Sequence, residues 1–140
     1  MNIFYQKTQN APPHENIKKF INLINPTPGT AIDLGCGAGR DTIYLLKNNW
    51  KVIAIDNQNT QNIIKEQLTP KELQRFKFIL QDFQNLKLDP NNLIIANYSI
   101  PFCNKNYFTH FWSQITKSIS HNRIFCRQLL RIKRLLGKNQ

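Results

Sequence analysis

The chain has 140 residues, 41% of them hydrophobic, and a formal net charge of +11. That length gives one domain with a real core and no room for a second. No apolar run approaches the roughly 20 residues needed to cross a bilayer, and the opening MNIFYQKTQN lacks the apolar centre of a signal peptide, so a cytoplasmic protein is expected.

The charge is unevenly placed. Lys117, Arg123, Arg127, Arg131, Lys133, Arg134 and Lys138 crowd the end of the chain with no acid among them, and the rest is only mildly basic. A basic tail is no reason to assign a nucleic-acid partner to the whole domain. Cys36, Cys103 and Cys126 are widely spaced and form no CxxC pair. They offer neither metal-site spacing nor a disulfide framework and read as small buried side chains.

In chain order, Ile17, Phe20, Ile21 and Ile24 between Pro13 and Asn25 fall on one helical face. NPTPGT turns the chain, TAIDL reads as a buried strand, and Gly39 to Asn48 as a helix. KVIAID is a second strand, and residues 58–68 form a helix that Thr69-Pro70 should stop. FKFIL and NLIIAN are strands three and four, joined by QDFQNLKLDPN, which is too short for a full covering helix. From Asn106 to Ser120, Phe108, Phe111, Trp112, Ile115 and Ile119 mark another helical face, and IFCRQLL is a fifth strand. Alternating strands and helices predict a Rossmann-like, doubly wound α/β fold, with a mostly parallel sheet of about five strands covered on both faces.

The stretch AIDLGCGAGRD joins strand one to its helix through Gly35, Gly37 and Gly39. Each lacks a Cβ and so permits close approach or positive φ. The dinucleotide fingerprint would place its third glycine at position 40, which is Arg40. Asp33, at the carboxyl end of strand one, would repel a pyrophosphate and attract an ammonium or a sulfonium. S-adenosylmethionine carries both of these groups, and a carboxylate suited to the helix N-terminus beyond Gly37. Asp56 closes strand two, where an acid commonly accepts hydrogen bonds from ribose hydroxyls. Asp82 and Phe83 follow strand three and suit an adenine amino group and its ring face. Asn97 and Tyr98 end strand four, at the expected switch point. Each residue alone has an ordinary structural explanation; four strand ends in order carry the signal together.

With these residues in view, the sequence resembles the class I S-adenosylmethionine-dependent methyltransferases, and most nearly the small bacterial tellurite-resistance branch. The likeness rests on DLGCGAGRDTIYLL, VIAIDNQ, ILQDF and IIANYSIPF, with NAPPHENI upstream, and covers roughly residues 5–130. It implies that Asp33, Gly35 and Gly37 hold the methionyl end and that Arg40 lies near its carboxylate. It further implies that Asp56 grips the ribose, that Asn57 flanks the adenine, that Asp82 and Phe83 bind it, and that Asn97 faces the methyl-transfer site. Pro13 and His14 are lid candidates. Asn97, Tyr98 and His14 are the candidates for a catalytic role, whereas His110 and His121 read as surface positions. No metal site is expected. NYSIPF has three residues between Asn97 and Pro101, which does not match the Asn-Pro-Pro-aromatic loop of base-amino methyltransferases.

The resemblance also implies a further helix and a two-stranded hairpin after strand five, for which this sequence has little chain left. Residues 1–130 are therefore expected to form a shortened methyltransferase domain, with 131–140 a basic tail. Residues 124–130 fit an edge strand blunted by Arg127. Phe125, Leu129, Ile132 and Leu136 also fit a basic amphipathic helix; the strand is the preferred reading. A second copy or a partner chain is the expected cover for that edge. The leading expectation is an S-adenosylmethionine-dependent methyltransferase acting on a small or soft nucleophile. The alternatives are a non-catalytic or decayed cofactor-binding or interaction protein on the same fold, and a nucleic-acid methyltransferase.

Overall fold

A computed structural model describes residues 10–82, 86–88, 91–97, 109, 110, 113 and 117, and the backbone of 119–127. Phe83, Tyr98, Pro101, Cys103 and the 131–140 tail lie outside these residues, as does the side chain of Cys126. The first helix, α1, spans Glu15–Lys19 and continues as a wider turn through Phe20–Ile24. β1 (Thr30–Leu34), α2 (Arg40–Lys47) and β2 (Lys51–Asp56) follow. Then come α3 (Gln61–Lys65), α4 (Pro70–Gln74), β3 (Phe76–Leu80), β4 (Asn91–Ala96) and β5 (Ile119–Arg127). No helix among the described residues is long and apolar enough to cross a membrane.

All five strands run parallel in the order β3-β2-β1-β4-β5. The chain starts at the centre, winds outward through β2 and β3, and returns to the other side of β1 at β4. Strand order therefore reverses between β1 and β4, which is where sheets of this kind open a crevice for ligands. Register makes the arrangement specific. Ala31 pairs with Val52 and Leu93, and Asp33 with Ala54 and Ile95. Because side chains alternate faces along a strand, Asp33, Asp56 and Asn97 share one face with Ala31, Val52, Leu93 and Ile95.

That face is covered by α1 and α2. Ile17, Phe20, Ile21, Leu45, Leu46 and Trp50 pack with Ala31, Val52, Leu93 and Ile95 in one buried cluster. The Phe20 and Trp50 rings meet at 6.1 Å and 51°. The other face of the central strands is also closed to water, with Ile32, Leu34, Ile55 and Ile94 at 2% exposure or less. Apolar side chains on both faces explain why these strands read as continuous hydrophobic runs.

Three details differ from the sequence expectation. The helical face stops at Ile21, because the Asn25 N–H bonds back to Phe20 O, five residues away; the widened turn swings Ile24 out to 60% exposure. Asn25, at φ 48°, then ends it. Thr69-Pro70 does not simply stop a helix. Thr69 caps α4 and its hydroxyl accepts from the Glu72 N–H, while Glu72 Oε1 accepts from the Thr69 N–H, the reciprocal pattern that T-P-x-E encodes. Ile119, expected on a helical face running to Ser120, instead begins β5; among the described residues before it, His110, Ser113 and Lys117 are helical. β5 is a strand, as preferred, but it starts earlier in the chain.

Gly39 is the position where the turn into α2 admits no side chain. Its φ is 88°, and a Cβ there would lie 2.7 Å from Ile64 Cγ1. Gly39→Ala should destabilise the fold by about 1–3 kcal/mol from backbone strain alone. Adding Ile64→Ala removes the collision but not the strain, so the double variant should recover none of that part. Urea unfolding of both variants checks this.

Candidate functional site

The glycine loop is held by backbone before any side chain acts. Gly35 N–H and Cys36 N–H both donate to Ile55 O, at 2.7 and 3.2 Å, and Gly39 N–H donates to Cys36 O at 2.9 Å. Gly35, Gly37 and Gly39 all have positive φ, so the loop curls tightly between the ends of β1 and β2. Asp56 then fastens it from β2: Oδ2 accepts from Gly37 N–H at 2.8 Å and Oδ1 from Gln58 N–H at 2.9 Å. Asp56 is thus a builder of the loop as well as a ribose candidate. Asn57 and Asp82 lie exposed beyond their strands.

A second polar cluster gathers on the same face. Asp41, in the first turn of α2, is 4% exposed. Its Oδ1 accepts from the His14 backbone N–H at 2.8 Å, and its Oδ2 lies 2.7 Å from His14 Nδ1. Asn97 Nδ2 also donates to Asp41 Oδ2, at 3.1 Å. Asn97 and Asn16 exchange amide bonds at 2.7 and 3.1 Å. Residues 14, 16, 41 and 97 therefore form one connected group that ties α1 to the start of α2 and the end of β4. Next to Asp41 in sequence, Thr42 donates its hydroxyl to Asp33 Oδ2 at 2.7 Å. Arg40 Nε donates to Pro12 O at 2.7 Å, so the residue expected near a ligand carboxylate also grips the segment leading into α1.

Three carboxylates, Asp33, Asp41 and Asp56, thus surround one loop with little access to water. Burial pushes the Asp33 carboxyl up to about 8, with the charges of Asp41 and Asp56 adding to the rise and the Thr42 hydroxyl opposing it. Burial also disfavours the Asp41 charge, but the hydrogen bonds and charge of His14, together with the Asn97 amide, outweigh it and hold Asp41 below the ordinary carboxylate value. Two neighbouring buried acids are thereby split, one neutral and one ionised at neutral pH. The Cys36 thiol is free and buried within the loop, and burial pushes its pKa well above the usual value, which makes it a packing side chain and not a nucleophile.

The structure brings together Asp33, Gly35, Gly37, Gly39, Arg40, Asp56, Asn97 and His14 from the sequence reading. Asp41, Thr42 and Asn16 escaped it. An acid in a first helical turn is an ordinary partner of the helix dipole, and only the fold reveals that Asp41 meets residues 27 and 56 positions away.

A parallel sheet of this order, with a glycine loop opening its first helix at the switch point, is a Rossmann-like fold, and methyltransferases share it. Solved structures agree. TehB from Haemophilus influenzae superposes with a TM-score of 0.72 at 20% identity, over 89% of this chain and 43% of that one. The Burkholderia thailandensis 1,6-didemethyltoxoflavin-N1-methyltransferase, with bound 1,6-didemethyltoxoflavin and S-adenosylhomocysteine, gives 0.72 at 18%, over 87% and 53%. The glycopeptide N-methyltransferase MtfA in complex with S-adenosylmethionine gives 0.71 at 15%, over 84% and 54%. The chain spans about half the length of these proteins. The family model described as tellurite resistance protein TehB matches residues 1–124, and the chain belongs to that family. A search of curated proteins finds no match.

The raised Asp33 pKa has a measurable consequence. Between its ordinary value of 3.8 and about 8, the folded chain keeps a proton that the unfolded chain releases. Stability should therefore fall as pH rises through that window and level off above it. Asp33→Asn, which cannot ionise, should flatten this slope and be more stable than the parent at pH 8. Urea midpoints between pH 5 and 9 read the difference.

Proposed function

We propose that the chain is an S-adenosylmethionine-dependent methyltransferase for a small-molecule acceptor, working in the cytoplasm. The observation that carries this reading is the ring of Asp33, Asp41 and Asp56 around a three-glycine turn at the switch point. An ammonium beside Asp33 would draw off its proton and pair with the carboxylate, whereas a pyrophosphate would gain nothing from buried acids, so the set favours a sulfonium and an ammonium over a dinucleotide. The residues fit the cofactor in kind. Gly35 and Gly37 would let backbone approach the methionyl end, Asp33 would take its ammonium, and Arg40 its carboxylate. Asp56 takes the ribose hydroxyls. Asn57, Asp82 and Phe83 are assigned to the adenine.

When bound, the cofactor supplies a methyl group already activated by positive sulfur. The protein's task is then alignment of the acceptor and exclusion of water. Asn97, at the end of β4 and bonded to both Asn16 and Asp41, belongs to the wall that faces the acceptor, with Tyr98 beside it in sequence. β5 closes the strand order, and a second copy or a partner chain along its outer edge belongs to the same proposal. A cofactor-binding protein without turnover is the second reading.

Calorimetric titration with S-adenosylmethionine and S-adenosylhomocysteine should give micromolar binding. Asp56→Asn should weaken it about 10- to 100-fold, the value of a hydrogen bond to a charged group at about 1.5–3 kcal/mol. An ammonium placed at Asp33 would ionise it, so S-adenosylmethionine binding below pH 8 should also release a proton, read by titrating in two buffers of different ionisation enthalpy. A folded protein that binds neither ligand overturns the proposal; binding with no transfer to any acceptor moves it to the second reading.

A further inference from the structure

Resting on the methyltransferase reading, we infer that His14, oriented by Asp41, is the general base for methyl transfer, so that the acceptor is a protic nucleophile bearing N–H, S–H or O–H. The geometry is that of a histidine–carboxylate pair. One carboxylate holds His14 twice, at its backbone N–H and at Nδ1, which fixes both the start of α1 and the direction of the ring. Asp41 in its ionised form only accepts hydrogen bonds, so the proton of the 2.7 Å contact sits on Nδ1 and Nε2 is the basic nitrogen. The His14 side chain keeps 21% exposure while Asp41 keeps 5%: the ring is partly open to solvent, and its orienting acid is buried. Through Asp41 the ring is linked to Asn97 at the switch point, where an acceptor must sit to meet the methyl group.

Among the described residues near His14, Arg40 binds Pro12 O, two residues upstream, and Lys18 of α1 pairs with the exposed Glu15 at 3.7 Å. The Asp41 charge in turn disfavours ionisation of Asp33. In the step, the acceptor's lone pair bonds to the methyl carbon while the carbon–sulfur bond breaks and its electrons stay on sulfur. The acceptor's proton moves to His14 Nε2, giving an imidazolium whose charge the Asp41 carboxylate balances, and solvent later takes that proton. Asp41 is a positioning residue in this scheme, as in other nucleophile–base–carboxylate arrangements.

The test compares two acceptors that differ in their need for a base: 2-mercaptoethanol, protonated at pH 7, and iodide, which has no proton to lose. His14→Gln should lower methylation of the thiol about 100-fold at pH 7, spare iodide methylation and cofactor binding, and recover toward the parent rate as the pH passes the thiol's own pKa. Asp41→Asn should lower thiol methylation and shift the acid limb of its pH profile. Nitrogen NMR of the imidazole supplies a readout free of turnover, with neutral His14 as the Nδ1–H tautomer in the parent and losing that bias in Asp41→Asn. Equal loss on both acceptors, or no loss on either, overturns the base assignment, and so does the opposite tautomer. A parent protein that binds cofactor but methylates neither acceptor overturns the base assignment, whereas the methyltransferase reading falls only with loss of cofactor binding or of transfer to every acceptor. Selective loss on the thiol alone supports both.

Discussion

A carboxylate shut away from water must find its hydrogen bonds inside the protein, and Asp41 finds them on segments that are far apart in sequence. His14 comes from the start of α1 and Asn97 from the end of β4. Leaving a buried charge without these partners is among the most destabilising events a fold can meet, so α1 has a reason to dock where it does beyond its apolar face. Ile17, Phe20 and Ile21 supply the area that holds α1 down. Asp41 supplies the direction, since hydrophobic contact is tolerant of rotation and a two-point hydrogen bond is not. The position of β4 relative to α2 is set by the same carboxylate.

The glycine loop and the acids depend on each other in a similar way. Positive φ at Gly35, Gly37 and Gly39 lets the backbone turn tightly enough for Gly37 N–H to reach Asp56. With the loop in place, α2 starts at Arg40 and presents Arg40, Asp41 and Thr42 in one turn to three different partners: Pro12 O, the His14–Asn97 pair, and Asp33. Three successive side chains at the start of one short helix thus organise the opening segment, the neighbouring helix and the end of β1.

Much of this was legible before any coordinates. The strand runs TAIDL, KVIAID and FKFIL coincide with β1, β2 and β3; the central β1 and β2 read as apolar stretches because a parallel sheet buries its inner strands on both faces. The glycine loop, Asp33 and Asp56 were legible because turn chemistry and strand ends are local. What could not be read was the pairing of distant polar groups. Asp41 carries an ordinary residue type at an ordinary place, and nothing near it announces that His14 and Asn97 will converge on it. Ile24 shows a different limit. Its spacing fits the helical face, but a widened turn is an i→i+5 event that hydrophobic periodicity does not encode. Thr69-Pro70 follows the end of one helix as expected, but the helix that Pro70 begins was not read, since proline suits both a stop and a first turn with the same fixed φ.

Asp33, Asp56 and Asn97 stand at strand ends on one face of the sheet, in register with Ala31, Val52, Leu93 and Ile95. Because the side-chain repeat along a strand is two, losing or gaining a single residue within β1, β2 or β4 would send that strand's polar terminus to the opposite face and expose its apolar partners to the wrong neighbours. Substitutions can retune this chemistry one side chain at a time. Length changes inside the three strands cannot, and have to be absorbed in the connections between them, so divergence among descendants of such a chain should appear as loops of varied length joining strands of constant length.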